Sequence, residues 1–262
     1  MRFTGKSALV TGSASGIRRA TALALANAGC MVACLDIDES ALDLLEKDLS
    51  SAPGTPKKLV KSGSIAVAQD VEEFVADAQE YFGRIDFLFN NAGVEFVAAA
   101  DETSEADWDA VFDVNVKGTF MMSKAVIPHM RATGGGAIVN NASDAGLRGI
   151  RLNAAYSSSK AAIIHLTRSL ALDYGQFNIR ANCICPGCIK TPLCERFNAE
   201  VGARKNISGE AALKEFVDAN IPMLRVGMPE EVADLVSFLF SDEARYISGA
   251  IIPIDGGLTA GM

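Results

Sequence analysis

Tyr156 and Lys160 stand four residues apart in Tyr156-Ser157-Ser158-Ser159-Lys160. On a helix this spacing puts a phenol and an ammonium on one face, pointing the same way. A tyrosine with an unperturbed pKa near ~10 is a poor base at neutral pH. A neighbouring ammonium stabilises the phenolate and lowers that pKa, which fits the phenol for general acid/base work. Ser143 lies thirteen residues before Tyr156, at the end of a β-rich run, where its hydroxyl can orient a substrate oxygen. Alone, Tyr-x-x-x-Lys is usually a solvated helix face, so the elements around it must decide.

A second cluster lies near the N-terminus. Ser7-Ala8-Leu9-Val10-Thr11-Gly12-Ser13-Ala14-Ser15-Gly16-Ile17 reads as a strand, a Gly-rich turn and a helix start. Glycines there let the backbone approach a pyrophosphate, and the helix N-terminus offers free N–H groups and the positive end of its dipole. Asp36 follows Gly16 by 20 residues and closes the next β-rich run. A carboxylate in that place accepts hydrogen bonds from both ribose hydroxyls and repels a 2′-phosphate, which favours NAD over NADP. The bland alternative for Asp36 is a helix cap within Asp36-Ile37-Asp38-Glu39-Ser40.

Such clusters need strands that end beside one another. Strands are expected at Ser7–Thr11, Met31–Asp36, Lys58–Ser62, Ile85–Asn90, Ala137–Ala142, Arg180–Cys185 and Ala250–Ile254. Their nearly continuous apolar runs suit a sheet covered on both faces. Helices are expected at Gly16–Ala28, Ser40–Leu49, Val67–Tyr81, Ser104–Arg131, Ala154–Tyr174, Gly209–Ala219 and Pro229–Ser241. Alternating strand and helix implies right-handed crossovers, hence an α/β, open, doubly wound parallel sheet of about seven strands with helices on both faces. Its ligand crevice lies beyond the carboxyl ends of the strands. With no linker or repeat, residues 1–262 read as a single domain, within which the strandless 191–228 is a candidate substrate lid.

Composition agrees. The 262 residues carry 24 Lys plus Arg against 32 Asp plus Glu, a formal charge of −8, and 49% are hydrophobic. Such a chain buries enough surface to fold, and its acidity argues against a general nucleic-acid binder. No apolar run reaches the ~20 residues that span a bilayer, and the N-terminus shows no leader segment. These features point to a soluble, unexported, cytoplasmic protein with no membrane partner, whose six cysteines are free thiols.

The chain resembles the short-chain dehydrogenase/reductase superfamily over nearly its whole length. The resemblance rests on Thr11-Gly12-x-x-x-Gly16, Asn90-Asn91-Ala92-Gly93, Asn115 within Val114-Asn115-Val116, Ser143, Tyr156-x-x-x-Lys160, Pro186-Gly187 and Asp255-Gly256-Gly257, in order and register. It implies a Rossmann-type fold and a catalytic tetrad of Asn115, Ser143, Tyr156 and Lys160. Tyr156 would be the acid/base, Ser143 would bond the substrate oxygen, Lys160 would bind the nicotinamide ribose and tune Tyr156, and Asn115 would position a water between Lys160 and solvent. An oxidised nicotinamide ring would lower the Tyr156 pKa further. Gly12, Ser15, Gly16, Ile17 and Asp36 would face the pyrophosphate and adenosine ribose, with Asn91 and Gly93 near the adenosine side. Pro186, Ile189 and Thr191 would flank the carboxamide end. The resemblance also implies no metal, and a homodimer or homotetramer through the helices Ser104–Arg131 and Ala154–Tyr174.

Departures accompany the match. Arg18 stands where the family has its third glycine: it tilts outward and adds charge near the pyrophosphate, crowds the site, or points into solvent. Ser64 falls where the family carries an adenine-binding Asp. Cys183-x-Cys185-x-x-Cys188 with Cys194 has a zinc-like look, yet Cys183 and Cys185 share one face of a buried strand, which suits small apolar residues better. Cys188 is expected in the loop beside the nicotinamide, sensitive to thiol reagents. His129 and His165 have no partner for acid/base work. Trp108 is expected in the core or at a subunit contact. Arg148, Arg151 and Arg196 are candidates to pair with an anionic substrate, and Glu95, Asp144 and Asn153 to line its pocket. The leading expectation is an NAD-dependent secondary-alcohol dehydrogenase or ketone reductase. A 3-oxoacyl-carrier-protein reductase-like enzyme and an idle nucleotide-binding scaffold are the alternatives.

Overall fold

The structure, a computed structural model, describes residues 1–52 and 57–261. Strands β1 (Ser7–Thr11), β2 (Met31–Asp36), β3 (Lys58–Ser62), β4 (Phe87–Asn90), β5 (Gly136–Asn141), β6 (Ile179–Pro186) and β7 (Ile251–Ile254) form one sheet in the order β3-β2-β1-β4-β5-β6-β7. Every neighbouring pair is parallel, with β1 bonded to both β2 and β4. The strand order reverses between β1 and β4, so the loops after these strands diverge and leave a crevice at their carboxyl ends. This is the expected doubly wound Rossmann-type sheet.

The pleat sorts the apolar runs onto two faces. On one face Ala8, Val10, Val32 and Cys34 pack with α1 (Gly16–Asn27), α2 (Glu39–Ser51) and α9 (Pro229–Phe240) through Leu25, Leu45 and Val236. On the other, Leu9, Ala33, Leu35 and Leu88 meet α3 (Ala68–Phe82) and α5 (Thr119–Ala132) through Phe74 and Met122. Burying each such side chain contributes about 1.5–3 kcal/mol.

Two helical segments differ from the sequence expectation. Ser104–Arg131 is not one helix: α4 (Glu105–Phe112) passes through a wide π turn at Asp113–Gly118 before α5 begins. The widening has a tertiary cause, because Gly118 lies against Ile65 and the Asn115 amide is drawn away to bond Val94 and Ser159. Within 191–228, a helix α7 (Pro192–Lys205) precedes α8 (Gly209–Asn220). Thr191 caps α7 by accepting from the Cys194 N–H at 3.3 Å, and Pro192 opens its first turn. The remaining long helix, α6 (Ala154–Tyr174), carries Tyr156 and Lys160. Among the described residues no helix is long and apolar enough to cross a membrane.

Candidate active site

The glycine turn after β1 is held by main-chain bonds to its neighbour. Gly12 and Ser13 donate N–H bonds to the Leu35 carbonyl at 2.6 and 3.1 Å, and Ala14 N–H donates to Asp36 Oδ2 at 2.8 Å. Gly12 and Gly16 have φ of +65° and +56°, the left-handed region that glycine enters without strain. Asp36 is not a helix cap; Asp38 has that role for α2, accepting from Ala41 N–H at 3.1 Å. Asp36 instead ties the glycine turn to the end of β2. At the end of β3, the Asp70 carboxylate accepts from Ser64 N–H at 2.8 Å. Asp70, six residues further on, thereby places an acid beside Ser64.

The Thr11 hydroxyl joins the β1 and β4 ends, accepting from Asn91 and Ala92 N–H at 3.1 and 3.2 Å. Gly93 lies between Asn115 and Lys160: a Cβ there would meet Asn115 Oδ1 at 3.2 Å and Lys160 Nζ at 3.4 Å. The Asn115 side chain is fully buried and holds the Val94 backbone at both ends, accepting from its N–H at 2.8 Å and donating to its carbonyl at 2.9 Å. It does not reach the crevice. Its contribution to the site is to fix the chain beside Lys160.

Tyr156 lines both cavities of the crevice, a groove of about 80 Å³ and an adjoining cavity of about 830 Å³. The groove also touches Ser15, Gly16, Ile17, Asn91, Gly93, Lys160 and Thr191. Ser143, Pro186 and Ile189 line the larger cavity. Gly12 and Asp36 line neither cavity: Gly12 lies beneath Arg18, and Asp36 holds the glycine turn through Ala14. Lys160 Nζ donates to the Asn141 carbonyl at 2.9 Å and lies 5.4 Å from the Tyr156 ring centroid. The Ser143 hydroxyl donates to Asp144 Oδ1 at 3.1 Å and accepts from Ala145 N–H at 3.2 Å.

The electrostatics depart from the simple pairing expected from spacing. Burial, followed by the Glu95 carboxylate, pushes the Tyr156 phenol above its ordinary range, and the nearby Ser143 hydroxyl only partly offsets this. Burial pulls the Lys160 ammonium down to about 8, with the Arg18 cation acting in the same direction. The lysine therefore does not make this phenol acidic in the protein by itself. Glu95, expected with Asp144 and Asn153 to line the pocket, does so in the larger cavity; it accepts from Asn153 Nδ2 at 2.6 Å, and burial raises its carboxyl.

Arg18 does not point into solvent. A Cβ on Gly12 would lie 2.6 Å from Arg18 Nη1, so the guanidinium is folded over the glycine turn and lines the groove. Burial works against its charge, while Asp36 and Tyr156 favour it from either side. It has no hydrogen bond or ion pair among the described residues. Of the other candidates, Arg148 is paired with Asp144 at 2.7 Å, Arg151 lines the larger cavity and Arg196 the groove. His129 and His165 lie outside both cavities, and Trp108 is half-exposed and stacks on Phe112 rather than entering the core. Cys183 and Cys185 are buried in β6, and among the described residues no group of three His, Cys, Asp or Glu side chains converges as a metal site would require.

Comparison with known proteins agrees with this fold. The family described as enoyl-(acyl carrier protein) reductase matches residues 12–259. An uncharacterised oxidoreductase of Thermotoga maritima is 43% identical over 99% of this chain and 100% of its own. A crystal structure of levodione reductase superposes with a TM-score of 0.95 at 35% identity, covering 100% of both chains. The chain belongs to the short-chain dehydrogenase/reductase superfamily. A structure of NAD⁺-bound xylitol dehydrogenase is also similar, with a TM-score of 0.91 at 34% identity over 98% of this chain and 100% of that one. Members of this superfamily use nicotinamide cofactors, and this chain is an oxidoreductase of that kind.

The residues present fit such a dinucleotide. Asn91 and Asn141 line the groove and carry buried amide oxygens without a partner. The left-handed glycines and the uncapped start of α1, where Ser15 makes no side-chain bond, leave N–H groups for phosphates. Arg18 stands over this turn at Gly12 and Thr191 at Gly16.

Proposed function

We propose that the protein is an NAD-dependent oxidoreductase that interconverts a secondary alcohol and its ketone. The observation that carries this reading is the Tyr156 phenol, which lines both the groove and the larger cavity, with Ser143 in the wall of the latter. Asp36 supports NAD, because its carboxylate at the β2 end would repel a 2′-phosphate. Gly12, Ser15, Gly16, Ile17, Asp36, Asn91 and Gly93 would hold the adenosine and phosphate portion, and Pro186, Ile189 and Thr191 the carboxamide end. The nicotinamide would supply the hydride acceptor or donor.

The chain's own residues handle the proton. Tyr156 exchanges it with the substrate oxygen at the phenol. Ser143 Oγ donates to that oxygen as charge grows on it. Since burial keeps the phenol protonated at neutral pH, Tyr156 is set as the acid of ketone reduction; in alcohol oxidation its ionisation draws on positive charge from Lys160 and the oxidised ring. Lys160 also holds the nicotinamide ribose, and Asn115 is a positioning residue for the Gly93–Val94 backbone.

The larger cavity suits a small or medium secondary alcohol, a diol or a cyclic hydroxy compound. We read residues 1–262 as one oxidoreductase domain and 191–228, with α7 and α8, as its substrate lid. Half-exposed Trp108 and Phe120 support a homodimer or homotetramer through α4–α6 in a cytoplasmic enzyme. An acyl-carrier-protein substrate is disfavoured by the net charge of −8, since an acidic carrier needs a basic surface.

The test is turnover of a secondary-alcohol panel with NAD and with NADP, followed by the absorbance of the reduced nicotinamide. NAD-linked turnover is expected. Tyr156→Phe should lower kcat/KM by about 10³-fold while cofactor binding stays within about twofold. Full activity in that variant would remove Tyr156 as the acid/base.

A further inference from the structure

Six cysteines are present, and four of them (Cys30, Cys34, Cys183 and Cys185) are buried. Cys188 and Cys194 differ: both are partly exposed and both line the larger cavity. Their Sγ atoms lie 2.8 Å apart, inside van der Waals contact. We propose that Cys188 and Cys194 are a reversible dithiol–disulfide site in the cavity wall, oxidised by small-molecule disulfides such as glutathione disulfide.

Three features of the fold support it. First, a protein disulfide requires an S–S distance of about 2.05 Å, so bond formation needs a shift below ~1 Å. Second, Cys194 occupies the first turn of α7, where free N–H groups favour a thiolate. The contact with the Cys188 thiol holds the Cys194 pKa down, and Asn198 Nδ2 lies 3.4 Å from Cys194 Sγ as a donor. Cys194 is therefore the nucleophile and Cys188 the resolving thiol. Third, Cys188 is anchored. Its carbonyl accepts from Gly227 N–H at 2.9 Å, and Lys190 N–H returns a bond to the Gly227 carbonyl at 2.9 Å. A bond between the sulfurs would tie the first turn of α7 to this fixed bridge.

The chemistry is a two-step exchange. The Cys194 thiolate attacks one sulfur of glutathione disulfide; the S–S bond breaks and one glutathione thiolate leaves. Cys188 then loses its proton to solvent and attacks Cys194 Sγ in the mixed disulfide, expelling the second glutathione thiolate. Two protein thiols are oxidised by two electrons, and one glutathione disulfide is reduced to two glutathiones.

The proposal stands on the thiols and not on hydride transfer, so its readouts need no turnover. The full chain is incubated with glutathione disulfide, quenched in acid and alkylated, and its intact mass and linked peptides are measured. The expected result is loss of two of the six alkylatable thiols, a peptide joining residues 188 and 194, and reversal by dithiothreitol. Amide exchange across 192–205 should slow in the oxidised form. Cys188→Ser should stop at a single glutathione adduct on Cys194, and Cys194→Ser should form neither adduct nor cross-link. Retention of all six thiols in the wild-type chain, or a cross-link through any other pair, would overturn the proposal.

Discussion

At the β1 end of the crevice the chain enters the left-handed region at Gly12 and Gly16; at the β5–β6 end it does so at Leu152, with φ 61°. The first end uses residues that tolerate this conformation, and its bonds to Leu35 and Asp36 are main-chain or main-chain to carboxylate. The second holds a leucine where left-handed backbone costs about 1–2 kcal/mol. Leu152 stays there because its carbonyl accepts from Ala98 N–H at 2.8 Å and the next residue, Asn153, positions Glu95. The contrast teaches that one end lines the crevice with backbone and the other with side chains. Backbone recognition needs glycine and exact register. Side-chain recognition tolerates local strain when it aims a group into a cavity.

Each end can be attacked separately. Gly12→Val forces a branched side chain into a backbone at φ +65° and against Ala92 Cα at 2.8 Å, so the largest loss of stability, about 3 kcal/mol, is expected there in urea unfolding. A loss no larger than that of an ordinary surface change would show the β1 turn to be as forgiving as the other end.

Lys160 joins the two ends and gives a pH signature. Its pKa is lowered to about 8 in the fold, against ~10.4 in an unfolded chain. Between those values the unfolded chain binds the extra proton, so this group's contribution to stability rises with pH through that window and its penalty is fully present below it. The stability of the wild type relative to Lys160→Met should therefore grow by about 2 kcal/mol from ~pH 8 to ~pH 10. A pH-independent difference in urea midpoints would show that Lys160 is solvated.

Arg18 is the exception at the β1 end, a long side chain over a backbone site. Arg18→Gly is expected to tighten NAD binding about fivefold by calorimetry, roughly 1 kcal/mol, because the groove is cleared. Unchanged or weaker binding would mean that the guanidinium assists the phosphates and does not crowd them. Leu152→Asn gives the smallest effect, a gain of up to about 1 kcal/mol in thermal unfolding, since asparagine accepts the left-handed region more readily. A loss instead would show that packing of the leucine in the cavity wall outweighs its backbone strain.

Much of this was written in local pattern. The seven strands and the glycine turn follow from apolar runs and from glycine's freedom at positive φ, properties that act within a few residues. Asp36 at the end of β2 and the shared face of Tyr156 and Lys160 are set by the same short-range geometry. What chain distance hides, tertiary structure decided. The helix expected at Ser104–Arg131 breaks because Asn115 is drawn to Val94 and Ser159, 21 and 44 residues away. The inward fold of Arg18, the Glu95 carboxylate that opposes Tyr156 ionisation, and the pairing of Cys188 with Cys194 depend likewise on burial and on which side chains meet. Sequence periodicity fixes the direction in which a side chain leaves its element, whereas its charge state and partner are set by the low-dielectric surroundings that other elements assemble around it.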